Sequence, residues 1–220
     1  SALPRIEDEA FAFSDSLSDI VIPDEVTYVG SSAFACCSSL KSVQLPEKLQ
    51  TLESRVFFNT GLESLAIPRT VRTIYNFACD GCTSLTDVVL QEGLTAIMDY
   101  ACRGCTALET VRLPGTLEVL GSAFAGCTSL RSIELPDSLK RIGAAFMGCI
   151  SLETVEIPDG TRIGSRIFED CVSLRSVKIG KHCNKDIDYL VLPFDDIAHP
   201  NLTVIGYKDS WAEYIVRQYK

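Results

Sequence analysis

The chain has 220 residues, 46% of them hydrophobic and 22% charged, which suits a packed core and argues against disorder. Lys and Arg number 20 against 29 Asp and Glu, a net charge of −9. That balance disfavours nucleic acid as a partner, because phosphate binding needs clustered cations. No run approaches the ~18 consecutive apolar residues of a membrane span, so this segment is not expected to insert into a bilayer. The opening Ser1-Ala2-Leu3-Pro4-Arg5 lacks the basic-then-apolar pattern of a signal peptide. The chain is therefore either cytosolic or preceded by a leader that is absent here.

Self-similarity organises the chain from its first residues. Ser1 to about Asp15 reads as a truncated first coil. Prolines then fall at 23, 46, 68, 114, 136 and 158, with Gln91 and Gly180 in the two remaining slots of a 22–23-residue period. Leu17, Leu40, Leu62, Leu85, Leu108, Leu130, Leu152 and Leu174 form one column. Ile20, Val43, Leu65, Val88, Val111, Ile133, Val155 and Val177 form a second, and Ile22, Leu45, Ile67, Leu90, Leu113, Leu135, Ile157 and Ile179 a third. An Ala-Phe pair recurs at 10–11, 33–34, 123–124 and 145–146, and a Cys follows it in most copies.

Each repeat reads Leu-x-x-Val-x-Ile-Pro, five residues, Ile-Gly, then Ala-Phe-x-Gly-Cys-x-Ser. The Val-x-Ile alternation predicts a short strand with one buried face. Proline closes it, having no N–H for a ladder. The Ile-Gly segment predicts a second short extended piece on an opposite wall, and Phe and Cys are expected to point inward from a turn. One coil cannot bury its own apolar stripe, so coils must stack. At ~4.8 Å per strand, eight coils make a rod about 40 Å long. Residues 1–180 are read as this solenoid of about eight coils, and 181–220 as a C-terminal cap. Within the cap, Asn201–Lys220 predicts a strand and then a helix, capped by Asp209 or Ser210, with Trp211, Ile215 and Tyr219 at i, i+4 and i+8.

The repeat is displayed by Leu130-Arg-Ser-Ile-Glu-Leu-Pro136 followed by Ile142-Gly-Ala-Ala-Phe146-Met-Gly-Cys149. It resembles the leucine-rich repeat of the BspA or Treponema pallidum type, over about four-fifths of the chain. The resemblance implies a repeat solenoid, a leucine-rich-repeat right-handed superhelix. Its coils would be short parallel β-strands with turns or 3-10 segments, closed by a C-terminal capping helix. It also implies a cell-surface or secreted bacterial protein, since such repeats occur mostly on anaerobic bacteria and some parasitic protists and are associated with adhesion.

The ten cysteines admit three readings. Cys79-x-x-Cys82 and Cys102-x-x-Cys105 have the spacing of a four-cysteine zinc site. The register favours a ladder of small buried thiols instead, because Cys82 and Cys105 share a column with Cys37, Cys127, Cys149 and Cys171. Cys79 and Cys102 stand where other copies have Phe, and stacking brings them near disulfide distance. Phe77 and Tyr100, two residues earlier, are expected to restore the missing bulk. Cys36 and Cys183 read as off-column and exposed.

Catalytic signals are sparse. His182 and His199 are the only histidines, and no acid is legible beside His182-Cys183 to orient a nucleophile–base pair. Asp186, Asp188, Asp195 and Asp196 lack calcium-loop spacing and read as a solvated loop. No cofactor motif is present, and a hydrolase using stacked carboxylates is a third-ranked alternative. A partner would meet the outward strand columns. The first is Lys41, Glu63, Thr86, Glu109, Arg131, Glu153 and Arg175. The second is Ser42, Ser64, Asp87, Thr110, Ser132, Thr154 and Ser176. The third is Val21, Gln44, Ala66, Val89, Arg112, Glu134, Glu156 and Lys178. The expectation is a monomeric, non-enzymatic module that binds a protein or glycan there, with a passive spacer as the alternative. Charges in the last four members of the first column alternate in sign and can pair across coils.

Overall fold

The computed structural model describes residues 4–185, 202–208, 210 and 213. It is a parallel β-solenoid with two walls. The first wall carries one strand per coil, at Asp19–Val21, Ser42–Gln44, Ser64–Ala66, Asp87–Val89, Thr110–Arg112, Ser132–Glu134, Thr154–Ile157 and Ser176–Ile179. Each central residue is an inward column member, so Val111 sits on Ile133 and Val155 on Val177, while the flanking residues face out. The second wall begins with Arg5–Ile6 paired to Tyr28–Val29. It continues as seven parallel two-residue strands from Thr51–Leu52 to Asn184–Lys185.

The interior is a set of columns running the length of the rod. Leu40, Leu62, Leu85, Leu108, Leu130 and Leu152 are fully buried, as are Phe34, Phe57, Phe146 and Phe168. Phenyl rings stack between coils, with centroids 5.2 Å apart for Phe11–Phe34, 5.7 Å for Phe34–Phe57 and 6.0 Å for Phe146–Phe168. This continuous apolar interior is what a single coil could not provide.

The Ala-Phe segments form turns rather than 3-10 helix. Alternate amides close i→i+3 turns, as Ala78, Asp80 and Cys82 do onto Tyr75, Phe77 and Cys79. The amides between them, on Phe77, Cys79 and Gly81, donate to Asp99, Ala101 and Arg103 of the next coil. A 3-10 helix would need the consecutive amides that coil stacking consumes.

At the C-terminal end, Thr203–Ile205 adds a strand beside Ser176–Ile179, as the sequence predicts, with half-buried Leu202 and Val204 packed on the core. The capping helix is not supported. Of its positions only Ser210 and Glu213 are among the described residues, and Glu213 alone is helical. His199, Asp186, Asp188, Asp195 and Asp196 also lie outside them.

Candidate functional site

The three outward columns occupy the first wall, and nearly all their members are exposed. Three shallow concavities run along this face, and the third column lines every one. The first, about 350 Å³, holds Gln44 and Ala66 with Arg69 and Gln91. The second, about 660 Å³, holds Arg112 and Glu134 with Glu92. The third, about 600 Å³, holds Glu134, Glu156 and Lys178 with Asp137 and Ile205. Their other border is the turn after each proline slot, so strand and turn together make the trough. Val89, 41% exposed, continues the apolar spot begun by Ala66.

Charge pairing on this face is partial. Lys41 meets Glu63 at 3.2 Å, Glu153 meets Arg175 at 3.8 Å, and Lys178 bonds Glu156. Arg112 and Glu134 are register partners, yet they make no ion pair, and Glu109 and Arg131 make none either. Thr86 bonds the Glu63 carbonyl through its hydroxyl at 3.1 Å. Among the described residues, Arg112 and Glu134 in the middle concavity thus have no ion-pair partner.

The cysteines form a ladder of free thiols. Cys82, Cys105, Cys127, Cys149 and Cys171 each donate to a main-chain carbonyl 25 or 26 residues earlier, at 3.0–3.3 Å. In the coil without a cysteine, buried Thr60 takes the position, its hydroxyl bonding the Phe57 carbonyl at 3.1 Å. Cys79 and Cys102 are buried in the same interior, and their main-chain carbonyls accept from the thiols of Cys105 and Cys127. Among the described residues, no group of three or more His, Cys, Asp or Glu side chains is arranged to hold a metal ion. Cys79, Cys82, Cys102 and Cys105 are all buried in the core.

Cys183 corrects the sequence reading. It is buried, and its thiol donates to the Pro158 carbonyl at 3.0 Å. It belongs to a different column, the one formed by Leu49, Val71, Leu94, Leu117, Leu139 and Thr161. Burial pushes the Cys127 and Cys171 thiols well up, and that of Cys149 up to about 12. With nine thiols buried and Cys36 half-buried, a native-state titration with a chromogenic disulfide should show one fast thiol per chain. A Cys36→Ser variant should show none; several fast thiols would contradict the ladder.

The repeat geometry accords with family membership. The family model described as the BspA type leucine rich repeat region matches in six copies, over residues 4–123 and 121–191. The chain belongs to this family. Three solved structures show the same fold. A leucine rich cell surface protein from Faecalibacterium prausnitzii superposes with a TM-score of 0.59 at 24% identity, over 95% of this chain and 64% of that one. The pneumococcal vaccine antigen PcpA gives 0.58 at 23%, over 98% and 68%. The Treponema pallidum leucine rich repeat protein gives 0.55 at 24%, over 77% and 71%. The BspA-type chain thus spans 64% of the length of the F. prausnitzii protein. No curated protein matches it in sequence.

A second surface of this BspA-type solenoid escaped the sequence reading. Phe77 and Tyr100 do not fill the space left by Cys79 and Cys102. They stand half-buried on the outer ridge of the turn, stacked on each other at 5.3 Å, both with φ of +61°. Two residues' separation keeps a face in a strand, but in this chain of turns the left-handed residue points out and Cys79 points in. A bulky side chain in that backbone region costs about 1–3 kcal/mol unless surroundings enforce it. Arg103 lies beside both rings, at 5.6 and 5.2 Å from their centroids. It also holds buried Asp80 in a two-pronged pair of 2.9 and 2.7 Å. Arg55 lies over Phe77 at 5.2 Å and near Phe58 at 6.0 Å.

An acid does meet His182, contrary to the sequence reading. Asp159 accepts from the His182 amide at 2.6 Å and lies 2.8 Å from Nδ1. These hydrogen bonds hold the Asp159 carboxyl below its usual value of 3.8. The geometry ties two exposed turns together and leaves the thiol of Cys183 facing the core.

Proposed function

We propose that this chain is a non-enzymatic interaction module of a bacterial cell-surface or secreted protein, monomeric and binding a protein or glycan along its strand face. The observation that carries the reading is the trough. Three concavities follow one another along the first wall, and the third outward column lines each of them. Such long faces are where solenoids bind extended partners. The relatives described as a cell surface protein and a vaccine antigen support the location.

Binding should be tested on immobilised extracellular-matrix proteins and on a glycan array. The quadruple reversal of Glu109, Arg131, Glu134 and Glu156 is expected to weaken the bound ligand about tenfold or more, with circular dichroism and melting unchanged. Binding unaltered by the reversal would refute a strand-face site.

A passive spacer is the second reading, and the cross-coil pairs Lys41–Glu63, Glu153–Arg175 and Lys178–Glu156 favour it, since they neutralise part of the face internally. It predicts no ligand in either assay. A hydrolase would need convergent free carboxylates; in the third concavity Glu156 is tied to Lys178, which leaves Glu134 and Asp137.

A further inference from the structure

The coils holding Cys79 and Cys102 invert the arrangement of their neighbours: thiol inside, ring outside. The fold does not require the outer ring. The next two coils carry Ser122 and Ala144 at the same position, without the left-handed backbone, and stack normally. The inversion gives up phenyl burial in these two coils, with no return inside the core, and sets a ring on a left-handed turn position that Glu9, Ser32, Arg55 and Arg166 occupy in other coils. It produces a cluster of two half-buried rings and two exposed guanidinium groups on the surface, the composition that dominates protein binding hot spots. The strand face has no aromatic in its outward columns.

The charges say what the cluster would take. Arg103 is committed to Asp80. Arg55 has no ion-pair partner among the described residues, on a chain whose net charge is −9. Ring geometry separates two kinds of anionic ligand. A sugar stacks on an open ring face, but Phe77 has Tyr100 on one side and Arg55 on the other. The ring edges, which carry the positive end of the quadrupole, remain available to a carboxylate and to apolar side chains.

We propose that the outer ridge at Arg55, Phe77, Tyr100 and Arg103 is a second docking surface, taking a protein segment that presents a carboxylate beside an apolar side chain. It is separate from the strand-face trough and does not depend on that reading.

The test is a random-peptide phage library panned on the wild-type chain, counter-screened on the triple variant Arg55→Ser, Phe77→Ala, Tyr100→Ser. The substitutions resemble residues that neighbouring coils already carry, and melting curves verify the fold. Enriched peptides should contain Asp or Glu next to an aromatic or aliphatic residue. By fluorescence polarisation they should bind wild type about tenfold or more tightly than the triple variant, and weaken with salt. The single variant Arg55→Glu, on an exposed side chain, should lose the same peptides while Arg55→Lys retains part of the affinity; this pair carries the test if the triple variant misfolds. The quadruple strand-face reversal should leave peptide binding intact. No enrichment of wild type over variant would overturn the proposal. So would enriched peptides that are neutral or basic, or a glycan-array signal that needs these residues without any peptide binding.

Discussion

Replacing Phe146 by Ala is expected to remove about 3–5 kcal/mol of unfolding free energy. Its side chain is fully buried, it stacks on Phe168 at 6.0 Å, and Ile167 and Met147 bracket it in the coil-to-coil hydrogen bonds. The surrounding backbone is tied to both neighbouring coils, so the site cannot collapse into the vacated volume. In a solenoid each coil is held only by its neighbours. The weakened interface should therefore also show as faster amide exchange in the coils on either side of Phe146, with smaller change near Leu40. Urea unfolding measures the total, and hydrogen exchange locates it. Ile150→Ala in the same coil is the control: that side chain is 44% exposed, and its loss should stay within about 0.5 kcal/mol. Equal effects from the two substitutions would show that the phenyl column does not carry the core.

The solenoid was legible because its contacts are encoded as a period. Residues 22 or 23 apart meet, so Ile133 and Val155 announce each other in the sequence, as do Leu130 and Leu152. The same logic identified the outward columns, since Ser132 and Glu134 flank an inward Ile133. It failed where the local backbone leaves the strand. At Phe77 and Tyr100 the left-handed conformation breaks the two-residue parity, and nothing in the amino-acid types signals that a Phe will accept φ of +61°. Cys183 is illegible for another reason. It shares no column with the other cysteines; its column contains Leu139 and Thr161, joined by shape and inward direction rather than by residue type. The pairing of Asp159 with His182 spans 23 residues, one coil, and the sequence reading misses it because it looks for an acid near the histidine in the chain and not one period earlier. Ion pairs of the first column depend on side-chain torsions, which the period does not encode: Glu153 reaches Arg175, while among the described residues Glu109 and Arg131 form no pair.

Arg103→Ala is expected to destabilise the chain by about 2–4 kcal/mol, because it strands a carboxylate rather than merely deleting a surface charge. The Asp80 side chain is only 5% exposed, and both of its oxygens are bonded by the one guanidinium. Arg103 itself is 47% exposed, so water can partly replace it, which places the loss below that of a wholly enclosed pair. The double variant Asp80→Ala, Arg103→Ala should recover most of the loss. The same turn position holds Ala35 and Ala125 in other coils, where it packs without any charge. A double-mutant cycle by urea unfolding isolates the coupling. If the double variant is as unstable as Arg103→Ala alone, the damage comes from lost packing of the arginine stem on Phe77 and Tyr100 instead. The same cycle separates the two roles of Arg103. Should the ridge bind acidic peptides, the stable double variant would still lose affinity, since a guanidinium has gone from beside the rings while the fold is restored.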